Sequence, residues 1–128
     1  GVCVLHTIGS ILPPQPNAPF IQKWIFPNGE IPHESDMAKN IEKSGLIMSD
    51  RETLIRHYDK TLESWLKRFL KNKHIAKDLF DQKFVKMWEF YLASCSAAFK
   101  YRDLVVFQYQ LVKNFDAIPS NRRDYIYT

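Results

Sequence analysis

Three segments of the chain have the apolar, β-branched character of strands. The first is "VCVLHTI" at 2–8, a continuous apolar run that ends at Gly9 and Ser10. Such a run predicts an interior strand of a covered sheet, with His6 near its carboxyl end. "LIMSD" at 46–50 and "DLVVFQYQLVK" at 103–113 predict two further strands.

Two long segments repeat their apolar residues at the spacing of a helix. They are "HYDKTLESWLKRFLKN" at 57–72 and "DQKFVKMWEFYLASCSAAFKYRD" at 81–103. The first apolar stripe comprises Tyr58, Leu62, Trp65, Leu66, Phe69 and Leu70, and the second comprises Phe84, Trp88, Tyr91, Leu92, Cys95 and Phe99.

Shorter elements lie between the first two predicted strands. Four prolines in "ILPPQPNAP" at 11–19 exclude regular structure there, and "FIQKWIF" at 20–26 is a short apolar segment before a turn. "SDMAKNIEKSG" at 35–45 predicts a helix that Ser35 or His33 caps and Gly45 ends. The tail "IPSNRRDYIYT" at 118–128 predicts a surface extension.

The predicted order is strand, short helix, helix, strand, two helices, strand. This order is typical of the second half of a doubly wound α/β sheet with a helical insertion before the last strand. The Gly-rich turn that binds nucleotides after a first strand is absent from the sequence. Since the chain also starts without methionine and within an apolar strand, we expect a fragment of a longer protein.

Composition narrows the class of protein. At 128 residues the chain has the length of one domain with a hydrophobic core. Two cysteines are too few for a disulfide framework, and four histidines lie far apart in sequence, so we expect no metal site. No apolar run approaches the roughly 20 residues of a membrane span, and the start lacks the basic region of a secretory signal. A reduced, intracellular protein is expected.

The first long helix carries a basic face, although the net charge of the chain is only +4. A solvated surface is the ordinary explanation of such a face, and attraction to anionic lipid headgroups is the functional one. Nucleic acid is disfavoured, because the aromatic residues lie in the apolar stripes and do not alternate with the basic residues.

Three residues are candidates for chemistry, and each also has a structural explanation. His6 at a strand end is placed where ligands collect in open α/β sheets, but it can equally bind backbone there. Tyr58 can be a core aromatic whose hydroxyl finds a backbone partner. Cys95 lies on an apolar stripe, where cysteine usually behaves as a small hydrophobic residue. Periodicity alone favours the structural explanation for all three.

Four blocks in order, "VLHTIG", "FIQKWIFPNGEIP", "HYDKTLESW" and "FVKMWEFYLASCSAAFKYRDLVVFQ", resemble the C-terminal part of the cyclopropane-fatty-acyl-phospholipid synthases and mycolic acid cyclopropane synthases. The resemblance covers 4–113. It implies that 1–128 is the C-terminal part of one S-adenosylmethionine-dependent methyltransferase domain with a Rossmann-like sheet, 1–113 being the family-like core and 114–128 a C-terminal extension.

Enzymes of this family transfer the methyl group of S-adenosylmethionine to a cis double bond of an acyl chain and then remove a proton to close a cyclopropane ring. The resemblance implies that bicarbonate is the base, bound here by His6, Tyr58 and Cys95. It also suggests that Phe26, Tyr91 and Phe99 form the wall of the acyl pocket, with plain core packing as the alternative for each. Cys95 would then be a hydrogen-bond donor and not a nucleophile.

The resemblance further implies that most of the S-adenosylmethionine site lies outside this chain, so that the chain alone is inactive. The expected partners are the N-terminal part of the same enzyme, an unsaturated phospholipid at the membrane surface and a second copy in a homodimer. The expected location is cytoplasmic and peripheral to the inner membrane. Two alternatives stay open: a lipid methyltransferase of the same family that does not close the ring, and a non-catalytic lipid-binding or dimerisation module.

Overall fold

The computed structural model describes residues 1–127, and their elements follow the predicted order. The elements are β1 (Val2–Ser10), α1 (Pro19–Trp24), α2 (Glu34–Lys43), β2 (Ile47–Leu54), α3 (His57–Leu79), α4 (Gln82–Tyr101) and β3 (Leu104–Val112). Short 3-10 helices follow at Phe115–Ala117 and Arg123–Ile126. Of the predicted tail, Thr128 lies outside the described residues.

The three strands form one sheet in the order β1-β3-β2. β3 is antiparallel to both of its neighbours, so β1 and β2 run in the same direction on either side of it. β3 is central because its apolar residues occupy consecutive positions, including Val105, Val106 and Phe107, and can therefore be buried on both faces of the sheet. The predicted α/β class is confirmed.

The expectation that β1 is an interior strand is wrong. Within residues 1–127, β1 pairs with β3 on one side only, and Val4 in its first half is 68% exposed. His6 also lies in the middle of β1 and not near its carboxyl end, because the strand continues through Gly9 and Ser10. The amide of Ser10 donates to the carbonyl of Pro32 at 3.0 Å, which keeps this end of the strand extended.

The core has one apolar cluster on each face of the sheet, because successive residues of a strand point to opposite faces. The α2-face cluster comprises Ile41, Val105, Phe107, Tyr109 and Leu111, with Met37 and Leu46 packed against it. The second cluster, called the hairpin cluster after helices α3 and α4, has Leu62, Leu92, Phe99 and Val106 at its centre. Partly buried residues that complete the second cluster include Ile8, Leu54, Tyr58, Leu66, Phe69, Trp88, Tyr91 and Cys95.

The helix ends are partly as predicted. Gly45 lies just beyond the end of α2 with a φ of 72°, a conformation that glycine adopts without strain. At the start of α2, neither candidate caps the helix through its side chain. His33 precedes the helix, but its ring accepts a hydrogen bond from the Gln15 amide at 3.3 Å and its Nδ1 lies 3.0 Å from the Leu12 carbonyl. The imidazole therefore fixes the proline-rich loop.

Helices α3 and α4 form an antiparallel hairpin, the predicted helical insertion between the last two strands. Only Phe80 and Asp81 connect the two helices, and the Asp81 carboxylate caps α4 by accepting from the Phe84 amide at 2.6 Å. α3 continues to Leu79, beyond the predicted end. The first apolar stripe is confirmed only in part, because Trp65 and Leu70 are 39% and 38% exposed.

Candidate functional site

The hairpin cluster contains most of the predicted site residues. Tyr58, Tyr91, Cys95 and Phe99 all belong to it, and the rings of Tyr58 and Phe99 lie 5.1 Å apart. Phe26 reaches the same place from the loop after α1, and the centroids of its ring and the Tyr91 ring lie 6.1 Å apart in an edge-to-face arrangement. Five of the six predicted side chains are therefore neighbours, although Phe26 stays largely exposed.

Helical geometry explains this grouping. Tyr91, Cys95 and Phe99 are four residues apart, so they share one face of α4. Tyr58 is the second residue of α3, and the antiparallel hairpin places the beginning of α3 beside the second half of α4. The predicted alignment of Tyr91 and Phe99 on the face of Cys95 is confirmed.

A buried polar pair holds the two helices in register beside these residues. The Ser96 hydroxyl donates to the Asp59 carboxylate at 2.6 Å, and both side chains are buried. Lys100 lies 4.0 Å from the same carboxylate and donates to Glu63 at 3.2 Å. Because Asp59 and Ser96 directly follow Tyr58 and Cys95 in sequence, their hydrogen bond fixes the relative position of the two candidate residues. Sequence reasoning missed this pair, since it depends on a contact across 37 positions.

Burial keeps the candidate thiol and phenol protonated. Desolvation, together with smaller contributions from the neighbouring Cys95 and Tyr58, raises the pKa of Tyr91 to about 12. Desolvation also raises the pKa of Cys95 to about 11, against the hydrogen bond with Tyr91, which lowers it. At neutral pH the hairpin cluster therefore contains an S–H and an O–H, which are hydrogen-bond donors, and not a thiolate nucleophile.

His6 is the one predicted residue that lies apart from the cluster. It is exposed, and its Nδ1 lies 3.1 Å from the side-chain nitrogen of Gln108 on β3. With the Gln108 amide as donor, Nδ1 accepts, an arrangement compatible with a ring hydrogen on Nε2. Ile8, two residues further along β1, packs into the hairpin cluster. His6 therefore points to the same face of the sheet as the cluster.

Gln108 belongs to a polar row that sequence reasoning also missed. It lies opposite His6 on β1 and opposite Glu52 on β2. Residues with these register positions share one face of the sheet, so an imidazole, an amide and a carboxylate form a row across the three strands, between the cluster and the C-terminal tail. An alternating sequence such as "VVFQYQ" signals that Gln108 shares a face with Val106, but only the strand pairing identifies His6 as its partner.

The C-terminal tail is fixed along the next row of this face. Gln110 exchanges hydrogen bonds with the Tyr125 hydroxyl at 2.7 and 2.9 Å and donates to Ser49 at 2.9 Å. Arg123 donates to both carboxylate oxygens of Asp50, at 2.5 and 2.9 Å. The predicted surface extension therefore lies on the surface but is attached to β2 and β3, one row from His6.

The arrangement suits an apolar ligand with one polar group. Aromatic and aliphatic side chains form the walls, and protonated donors lie among them. Among residues 1–127, no group of three His, Cys, Asp or Glu side chains is placed to hold a metal ion. No helix in this part of the chain has the length and apolar character needed to cross a bilayer.

The fold of this chain is also found in solved cyclopropane synthases. The structure of the cyclopropane synthase MmaA2 from Mycobacterium tuberculosis matches with a TM-score of 0.79 and 26% identity, covering 87% of this chain and 44% of that one. Mycolic acid cyclopropane synthase CmaA1, solved in complex with SAH and CTAB, matches with a TM-score of 0.78 and 27% identity over the same shares of the two chains.

Sequence comparison gives the family. Residues 1–109 match the family model described as mycolic acid cyclopropane synthetase. The cyclopropane-fatty-acyl-phospholipid synthase of Escherichia coli K12 is 36% identical over 108 residues, which are 84% of this chain and 28% of that enzyme. The tuberculostearic acid methyltransferase UfaA1 of Mycobacterium tuberculosis is 36% identical over 96 residues, or 73% of this chain and 22% of that enzyme.

The chain belongs to the mycolic acid cyclopropane synthetase family, whose members are S-adenosylmethionine-dependent lipid methyltransferases and cyclopropane synthases. This confirms the family resemblance of the four sequence blocks. The chain spans less than a third of the length of these curated relatives.

The raised pKa of Cys95 predicts slow alkylation of its thiol. In a Cys3→Ser variant, where Cys95 is the remaining cysteine, the rate of reaction with iodoacetamide should rise with pH to a midpoint near 11, because only the thiolate reacts. Tyr91→Phe should move this midpoint higher, since it removes the hydrogen bond that favours the thiolate. The urea-unfolded chain is the control and should give a midpoint near the ordinary 9.0. A midpoint near that value in the folded chain would contradict the buried site.

Proposed function

We propose that the chain is the C-terminal part of a cyclopropane-fatty-acyl-phospholipid synthase, which adds a methylene group from S-adenosylmethionine across the cis double bond of an unsaturated phospholipid acyl chain. The observation that carries the proposal is the grouping of Tyr58, Cys95, Tyr91 and Phe99 in one apolar cluster with its thiol and phenol protonated. Residues 1–113 form the family-like part of a single catalytic domain, and 114–128 form its extension.

Each group has a part in this chemistry. S-Adenosylmethionine supplies the methyl group when bound. The double bond is a weak nucleophile and its methylated form is a carbocation, so the site must exclude water. Tyr91, Phe99 and Phe26 provide the apolar walls, and aromatic π-faces stabilise nearby positive charge. The Tyr58 hydroxyl, the Cys95 S–H and the His6 Nε2–H are the donors that would orient a bicarbonate anion as the base that removes the proton.

The donor set fits such an anion. All three side chains donate without themselves carrying negative charge, and the Asp59 carboxylate, which would repel an anion, is turned to Ser96 and Lys100. His6 is separated from the other two donors along the sheet face, so it would approach the anion from the side of β1. Gln108 is then a positioning residue, because its hydrogen bond to Nδ1 leaves the Nε2–H directed elsewhere.

The chain supplies only part of the active site for this reaction. It contains no Gly-rich strand–turn–helix motif for the cofactor, and its match covers only 28% of the Escherichia coli synthase. We therefore infer that the S-adenosylmethionine site is formed mainly by an N-terminal part of the same enzyme and that the chain alone does not turn over. Because the substrate is a membrane phospholipid, the proposal also places the enzyme in the cytoplasm, peripheral to the inner membrane, and includes a homodimer.

The proposal predicts a clear contrast in a labelled-methyl assay. Incubated with S-[methyl-³H]adenosylmethionine and vesicles that contain unsaturated phospholipid, the 128-residue chain should incorporate no label above background. A chimera in which residues 1–109 follow the N-terminal part of the Escherichia coli synthase should incorporate label, because that portion is expected to hold the cofactor. Methyl transfer by the isolated chain, or an inactive chimera that is folded and binds S-adenosylmethionine, would contradict the proposal.

Lipid methylation without ring closure is a second candidate activity. It is supported by the methyltransferase UfaA1, whose 36% identity to this chain equals that of the Escherichia coli synthase. The chimera's products distinguish the two activities. A cyclopropane product has lost the double bond, a methylated alkene retains it, and a saturated methyl-branched chain carries two more hydrogens than the ring. Mass spectrometry before and after hydrogenation under conditions that leave the ring intact identifies which is formed.

A further inference from the structure

The distal half of the helical hairpin accounts for the net positive charge of the molecule. Residues 67–86 contain seven basic and two acidic side chains, a net charge of +5, whereas the complete chain has a net charge of +4. The remaining residues therefore have a net charge of −1. The basic members are Lys67, Arg68, Lys71, Lys73, Lys77, Lys83 and Lys86, and the acidic members are Asp78 and Asp81.

The same region exposes large apolar side chains. Leu79 and Phe80 lie at the turn between α3 and α4 and are 72% and 64% exposed, and Ile75 on α3 is half exposed. On a soluble surface such residues are usually scattered singly. Here two of them are adjacent at the tip of a projecting hairpin and are flanked in sequence by Lys77 and Lys83.

We propose that this tip, the basic tip at 73–86, docks on the surface of an anionic phospholipid bilayer. Leu79 and Phe80 would enter the boundary between headgroups and acyl chains, while the lysines bind phosphate groups and extend along the apolar surface. The inference deepens the proposed function, on which it rests for the identity of the substrate membrane, and it assigns a specific surface to the recognition of that membrane.

Charge and apolar exposure together favour a bilayer over other acidic partners. Nucleic acid would be attracted by the lysines, but it would leave the aliphatic Leu79 and Ile75 without a stacking surface. A second copy of the chain docked tip to tip would bring one net-positive region against another, which like-charge repulsion opposes. A bilayer with anionic lipids satisfies both features at the same place.

A row of aromatic rings connects the basic tip to the candidate site. The ring centroids of Phe80 and Phe84 are 4.3 Å apart, those of Phe84 and Trp88 are 5.9 Å apart, and those of Trp88 and Tyr91 are 5.0 Å apart. Tyr91 contacts Cys95 in the cluster. Docking at the tip therefore places a continuous apolar surface between the membrane and the residues proposed to act on the acyl chain.

Vesicle co-sedimentation of the 128-residue chain tests the proposal without requiring turnover. The chain should bind phosphatidylglycerol–phosphatidylcholine vesicles at low salt and bind pure phosphatidylcholine vesicles at least about tenfold more weakly, since each lysine near an anionic surface contributes to affinity. Leu79→Ser/Phe80→Ser and Lys77→Glu/Lys83→Glu should each weaken binding to the anionic vesicles by about tenfold or more.

Matched variants separate the tip from general surface effects. Lys39→Glu/Lys43→Glu makes the same charge change on α2, and Phe115→Ser removes a side chain that is 75% exposed elsewhere. Both should leave vesicle binding within about twofold of the unchanged chain. Equal losses in the α2 pair and the tip pair, equal binding to neutral vesicles, or tighter binding to duplex DNA than to anionic vesicles would overturn the proposal.

The active chimera distinguishes failure of the docking surface from failure of the proposed function. Leu79→Ser/Phe80→Ser should lower methyl transfer to phospholipid in vesicles but leave transfer to the same lipid dispersed in detergent within about twofold, because the tip acts on the bilayer and not on the reacting atoms. Unchanged transfer to vesicles would overturn docking while the enzyme function stands. Vesicle binding by an enzyme without methyl transfer would support docking while the enzyme function fails.

Discussion

His6→Ala and Tyr58→Phe are each expected to reduce formation of the cyclopropane product by the active chimera by about 10²–10⁴-fold, the usual contribution of a positioned acid–base group. Both changes remove a hydrogen-bond donor that would orient the base. Tyr58→Phe removes only the hydroxyl, so the ring contact with Phe99 and the packing of the cluster remain. The expected loss is therefore in turnover, with little change in the free energy of unfolding.

Tyr101→Phe is the matched control for the tyrosine, because Tyr101 is 76% exposed at the end of α4 and lies outside the cluster. It should leave turnover within about twofold of the unchanged chimera, as is usual for surface substitutions. A non-catalytic lipid-binding or dimerisation module predicts instead that His6→Ala and Tyr58→Phe leave the function of the complete protein unchanged. Losses below tenfold in both variants would favour that alternative.

The ranking of the donors provides a further comparison in the same assay. An S–H group is a weak hydrogen-bond donor, and burial keeps the Cys95 thiol protonated. Cys95→Ala should consequently lower turnover less than His6→Ala does. An equal or larger loss would show that the thiol contributes more than a weak hydrogen bond.

Local patterns predicted the parts of the site that depend on one helix. The four-residue spacing of Tyr91, Cys95 and Phe99 is enough to place them on one face of α4, and the apolar stripe is enough to bury that face. The order of the elements likewise follows from the alternation of apolar runs, prolines and helical periodicity. Each of these inferences uses residues that are near one another in the sequence.

Features that depend on distant pairing could not be predicted in this way. The Asp59–Ser96 hydrogen bond joins residues 37 positions apart, and the His6–Gln108 contact spans 102 positions. The prediction that β1 is an interior strand is wrong for the same reason, because it also depends on distant pairing. An apolar run indicates that a strand can be covered, whereas its neighbours in the sheet decide whether it is. Gly9 and Ser10 were interpreted as breakers, although Gly9 continues the strand because tertiary packing needs a residue without a side chain.

The packing at Gly9 gives the largest expected effect on stability. A Cβ atom at Gly9 would lie 2.4 Å from Cε2 and 2.5 Å from Cδ2 of Phe107, and 3.0 Å from the carbonyl oxygen of Pro32. Phe107 is fully buried on the central strand, so its ring cannot move away freely. We expect Gly9→Ala to lower the free energy of unfolding by about 1–3 kcal/mol through overpacking. Phe107→Ala should lower it by about 3–5 kcal/mol through the cavity it leaves.

The double variant should be more stable than the sum of these losses predicts. With the ring removed, the new methyl group at position 9 partly fills the cavity, and we expect a coupling of about 0.5–3 kcal/mol. Compensation stays incomplete because the Pro32 oxygen remains 3.0 Å away. Urea unfolding followed by circular dichroism gives the free energy of unfolding of the unchanged chain, the two single variants and the double variant. Phe107→Leu can replace Phe107→Ala if the latter does not fold.

Leu62→Ala combined with Gly9→Ala is the control cycle, because Leu62 is buried in the hairpin cluster on the opposite face of the sheet. These two losses should add to within about 0.5 kcal/mol, as is usual for sites without shared partners. Additive losses in the Gly9–Phe107 cycle as well would show that the ring of Phe107 does not restrict position 9. The absence of a side chain at Gly9 would then not explain why β1 continues beyond His6.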